Sequence, residues 1–98
     1  MVEELKSKYG KRLRELVIKD SEGDELKFYL VKPNRTVMEA ITQKGVEQKI
    51  VEMNKVLISN CVVGGDMQAI EDDGSIYIAV ISAITELIDE VSSEIKKL

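Results

Sequence analysis

Ninety-eight residues with 44% apolar and 33% charged content fit one soluble globular domain, because a chain of this size buries roughly 60 to 65% of its unfolded surface and cannot close two cores. A formal charge of −4 disfavours nucleic acid, whose phosphates call for clustered Lys and Arg, and the four aromatics leave the core to Ile, Val and Leu. One cysteine, Cys61, excludes an internal disulfide and favours a reducing, cytoplasmic compartment, while no apolar run approaches the length of a membrane span.

The opening MVEELKSKYGK carries two early glutamates and no apolar run, so it does not read as a secretion signal. Val2, Leu5 and Tyr9 follow steps of three and four and Gly10 stands at a C′ position, which predicts a short helix over 2–9 that must dock to persist. Lys11, Arg12 and Arg14 form the one basic knot, read here as a solvated strand start.

Two extended runs follow. Leu13 to Lys19 is bulky and partly β-branched, and in Glu25 to Val31 the residues Leu26, Phe28 and Leu30 alternate with polar ones; Asp20-Ser21-Glu22-Gly23-Asp24 supplies the turn between them. The pattern predicts a β-hairpin with Leu16, Ile18, Leu26, Phe28 and Leu30 on the covered face. Val17, Tyr29 and Val31 then lie on the opposite face and form a candidate partner-binding surface, and both edges of a two-stranded hairpin call for cover.

Lys32-Pro33-Asn34 ends the second strand, and Thr36 with Glu39 fits a capping box at the start of a helix. From there Val37, Ile41, Val46, Ile50, Met53 and Leu57 keep one apolar stripe, joined by Met38, Val51 and Ile58, which predicts one long helix with Gly45 as a kink, a close approach or a tolerated surface position. Asn60 to Asp66 stops it; Gly64-Gly65 reads as a sharp turn, and Met67 to Ile70 fits either a helical turn or an extended piece.

Glu71-Asp72-Asp73-Gly74-Ser75 offers several N-caps for the last helix, whose apolar positions 76, 77, 80, 81, 84, 87, 88, 91, 95 and 98 extend the stripe from Ile76 to Leu98. Ile78, Ala79 and Ala83 widen it early on, so the first turns are expected to be enclosed and the last, with Glu90, Glu94 and Lys97, to meet water. The fold class is α+β: a short N-terminal helix, a β-hairpin, then two long helices packed as a helical hairpin, in a single domain spanning 1–98.

Chemistry is sparse along this chain. Without histidine the commonest general base and the commonest transition-metal ligand are missing, and Cys61 without a partner base reads as a small buried hydrophobe. Asp66, Glu71, Asp72 and Asp73 carry enough oxygen for calcium but not the spacing of a calcium loop, so capping explains them more simply. No catalytic, cofactor-binding or metal site is assigned, and an enzyme is not expected.

The opening ELKSKYGK, the extended FYLVKP entering a helix, the NCVVGGD linker and the amphipathic segment from Ile76 together make a chain that resembles the small tail assembly chaperones of tailed phages and prophages. The resemblance covers most of the chain and rests on arrangement and length. It implies a non-enzymatic protein of the bacterial host cytoplasm that coats the tape-measure protein until tail-tube subunits replace it, some members also having a longer frameshifted form. No catalytic residues come with it. It joins a homo-oligomer and a protein partner, with no nucleic acid, membrane or cofactor, as the expectation; the alternative is a small ligand- or calcium-responsive regulatory domain using the acidic loop 64–74.

Overall fold

The computed structural model describes residues 2–91 and 93–98. Helix α1 (Val2–Tyr9) passes through a 3-10 turn at Gly10–Arg12 into strand β1 (Arg14–Lys19), which pairs antiparallel with β2 (Glu25–Leu30). As the alternation requires, Leu16 stands opposite Phe28 and Ile18 opposite Leu26. The turn is closed by Asp20, whose Oδ1 accepts from the backbone N–H groups of Glu22 and Asp24 at 2.9 Å each, with Gly23 at φ +85°. Val2, Leu5 and Tyr9 are half-buried, so α1 docks by the stripe its spacing defines.

Helix α2 (Arg35–Val46) begins two residues earlier than the capping box implies: Asn34, not Thr36, is the N-cap, its Oδ1 accepting from Val37 N–H at 2.9 Å, while Glu39 pairs with Arg35 at 3.0 Å. The single long helix is in fact two, because the chain breaks between α2 and α3 (Ile50–Cys61). Lys49 N–H donates to the Lys44 carbonyl at 2.8 Å and Gln48 N–H to that of Gly45 at 3.0 Å, with Gln48 left-handed at φ +59°. This is the Schellman arrangement, formed without the glycine that usually marks it. Its effect on the stripe is direct: Val46 and Ile50, expected on the core face, are 76% and 52% exposed. α2 and α3 pack against each other across the break.

A third strand replaces the expected turn. β3 (Val62–Gly65) follows α3 without a linker and pairs antiparallel with β2, giving the sheet order β1-β2-β3. The hairpin therefore has one open edge rather than two, and that edge, β1, carries Arg14, Glu15 and Lys19, which discourage pairing with another strand. The pairing slips between Tyr29 and Leu30, so that Val62 opposes Leu30 and both are buried in the core cluster. Beyond the slip, Val31 N–H donates to the Cys61 carbonyl at 2.8 Å.

Met67 to Ile70 is helical, as part of α4 (Met67–Asp72), and α5 (Gly74–Ile88) starts two residues later. Asp66 and Asp73 cap the two helices, and Asp73 also closes α4 through its N–H to the Ala69 carbonyl at 3.0 Å. α5 buries Ile76, Val80, Ile84 and Leu87 against β2, α3 and β3 residues that include Phe28, Leu57 and Cys61. It is the central core helix, as the spacing predicts, yet Ile78 is 63% exposed and the helix ends at Ile88 rather than Leu98. Asp89 and Glu90 bring negative charge to the negative end of the helix dipole, and beyond them Val91, Ile95 and Leu98 meet no core that would hold further turns. The α+β class and the opening helix-and-hairpin order stand.

Candidate functional site: an apolar groove between three helices

Three helices that share one core face leave a groove where their outer flanks meet. On α3, Val51, Lys55 and Ile58 fall at steps of four and three and so line one side; on α4, Met67, Ile70 and Glu71 do the same from across the gap. Gly74 and Tyr77, at the start of α5, close the end. The groove holds about 540 Å³, within the range of binding clefts in proteins. Its floor is apolar and partly unsealed, with Ile70 buried but Val51 66% and Met67 41% exposed. One charge stands on each wall, Lys55 on α3 and Glu71 on α4.

The groove lies away from the surface that alternation along the hairpin predicts. Of the three residues expected on an open second face, Val17 is 46% exposed, whereas Tyr29 and Val31 are buried. Tyr29 sits mid-sheet between Glu15 of β1 and Gly64 of β3, and Val31 is tied to Cys61. The arrival of β3 turns β2 from an edge strand into the central one, so both residues stand inside the sheet rather than at its margin. That candidate patch reduces to Val17.

Of the acidic residues of the 64–74 loop, Asp66 and Asp73 serve the backbone and Asp72 a side chain. Asp66 Oδ1 accepts from Gln68 N–H at 3.1 Å and Ala69 N–H at 3.3 Å, Asp73 Oδ1 from Ser75 N–H at 2.9 Å, and Asp72 Oδ1 from the Gln68 side-chain amide at 2.9 Å. Among the described residues no group of three or more His, Cys, Asp or Glu converges as metal ligands. Cys61 is fully buried, and burial pushes its thiol up to about 11, which keeps it protonated and unreactive near neutral pH. The basic knot is partly neutralised within the fold: the Arg14 guanidinium reaches the Lys11 carbonyl at 2.6 Å and the Glu90 carboxylate at 3.4 Å, and Lys32 Nζ stands 4.0 Å from the same carboxylate.

Reading the residues one element at a time misses Val51, Met67 and Tyr77 as site residues. One signal was present. Ile50, Val51, Met53, Val56, Leu57 and Ile58 occupy more of the circumference of α3 than a single core stripe needs, so part of that apolar surface had to stay uncovered or meet a partner.

No protein-family model matches the chain, and no curated protein does. A solved structure does: an uncharacterised protein from Bacillus stearothermophilus is 27% identical, with a TM-score of 0.68, over 99% of this chain and 100% of that one. The likeness is thus to a whole domain of the same extent. Among the described residues no helix is long and apolar enough to cross a membrane.

Proposed function

We propose that this chain is a non-enzymatic protein-binding domain whose groove between α3, α4 and α5 takes an amphipathic helical segment, the client being a phage or prophage tape-measure protein before its tail tube assembles. The observation that carries the binding role is the groove itself: exposed Val51 and Met67 over buried Ile70, bounded by opposite charges on facing walls. Grooves of this kind receive helices through apolar anchors at steps of three and four, and flanking charges set direction. The identity of the client rests on the resemblance of ELKSKYGK, FYLVKP and NCVVGGD to tail assembly chaperones.

The test is a calorimetric titration with a helical tape-measure fragment from the gene cluster that encodes the chain. Binding should weaken about tenfold or more in Val51→Asp, a loss of about 1.4 kcal/mol or greater, while the thermal midpoint holds because Val51 is largely exposed. A fragment that does not bind, or that binds Val51→Asp as tightly as wild type, removes the proposal.

A further inference from the structure

The groove has a counterpart on the same chain. Beyond α5, Val91 is 70% exposed and Ile95 and Leu98 fully so, and their steps of four and three would put all three on one side of a helix. In that helix Glu94 flanks the apolar side, beside Ile95 and one turn before Leu98, and complements Lys55 on the α3 wall of the groove, while Lys96 and Lys97 face away from it. A segment this short does not hold a helix alone and needs a surface to fold on.

We infer that residues 91–98 of one copy fold as an amphipathic helix in the α3/α4/α5 groove of a second copy, which rests on the groove being a helix-binding site. Its own groove is out of range. Glu90 is tied to Arg14 and Lys32 at the far end of α5, whereas the groove opens at Gly74 and Tyr77. From Tyr77 to Ile88 the helix rises about 16 Å, while a helix of residues 91–98 is only about 12 Å long, with its apolar side centred near half that length. A second copy meets no such limit. Because donor segment and acceptor groove are different surfaces, each copy presents both, and association propagates from copy to copy rather than closing symmetrically. A helical client competes for the same groove and disperses the assembly.

Sedimentation of the full chain from micromolar to millimolar concentration tests this. The wild-type mass should rise with concentration, accompanied by a gain in helical ellipticity as residues 91–98 fold. Ile95→Asp and Val51→Asp, both at exposed positions, should each stay monomeric with unchanged thermal midpoints. An equimolar mixture of the two should associate and stop at dimers, since it contains one intact segment and one intact groove per pair. A monomeric wild type, variants that assemble like wild type, or a mixture that stays monomeric beside an assembling wild type overturns the inference. Ile95→Asp retains its groove and should still bind the tape-measure fragment; if it does not while the wild type assembles, the client reading fails and self-association stands.

Discussion

Gly65 crosses Phe28 so closely that a Cβ built on it would stand 2.7 Å from the Phe28 ring and 2.7 Å from the Lys27 carbonyl oxygen. Its φ of +118° adds a backbone conformation that side chains rarely adopt. Neither neighbour can yield, one being backbone and the other a ring fully buried in the core. Gly65→Ala should therefore cost about 2 kcal/mol or more in urea unfolding, combining overpacking with left-handed strain. A loss below about 0.5 kcal/mol would mean that β3 does not lie on β2 as described.

The break between α2 and α3 makes the opposite prediction. Gln48 holds φ +59° where glycine is the usual residue, so Gln48→Gly should stabilise by about 0.5 to 1 kcal/mol once the added freedom of the unfolded chain is subtracted. At Gly45 the nearest atom to a new Cβ is Met53 Sδ at 3.8 Å, an ordinary contact, so Gly45→Ala should also stabilise, through helix propensity alone. Thermal midpoints of the two variants decide both claims; a drop in either contradicts the cap geometry.

Ile84 is fully buried and Leu87 nearly so, in the cluster that joins α5 to the sheet and α3. Ile84→Ala and Leu87→Ala should each lose about 2 to 5 kcal/mol, whereas Ile78→Ala, on the exposed side of the same helix, should lose less than about 1 kcal/mol. Equal losses at 78 and 84 would rotate the helix relative to the core.

Cys61 gives the domain an alkaline limb of instability. Burial raises its folded-state value to about 11, above the roughly 8.5 of an unfolded thiol. Below the unfolded value both states hold the proton and the contribution is complete. As pH climbs from there toward the folded value, the unfolded state releases its proton first and stability falls. Chemical denaturation across that window should show a steeper decline in wild type than in Cys61→Ala; parallel curves would place the thiol in contact with water.

How far the sequence could be read depended on whether the deciding force was local. Val2 to Tyr9, the Leu16–Ile18 and Leu26–Phe28–Leu30 alternations and the buried side of α5 all follow from period and register, and all stand in the structure. Val62-Val63-Gly64-Gly65 carries no alternation and half of it is glycine, so its place as a strand comes from tertiary pairing with β2. Gln48 gives no sign of a helix end, because the Schellman turn is specified there by backbone hydrogen bonds rather than by residue type. Val91, Ile95 and Leu98 continue the stripe of α5 faithfully, and only the lack of a surface beneath them stops the helix. The groove belongs to none of these elements singly; it exists through the angle at which three helices meet. Tyr29, read as one of three residues of a partner surface, is instead interior, so a charge placed there would act on the stability of the domain itself.

The hydrogen bond from Val31 to the Cys61 carbonyl has a kinetic consequence. It joins the two ends of the α2–α3 excursion, so that β1 and β2 can pair through a nearby turn while β3 reaches β2 only after both helices have turned back at residues 47–49. Refolding should then proceed in an order, with hairpin contacts early and the β2–β3 seam late, since the seam has the larger loop to close. The tip at 47–49 lies at the middle of that loop, and each doubling of loop length adds only about 0.6 kcal/mol to its closure. Residues inserted beside Gln48 would therefore delay the seam slightly and leave the finished sheet as it is, which makes this tip the place where the chain can carry a tag, a probe or an added segment.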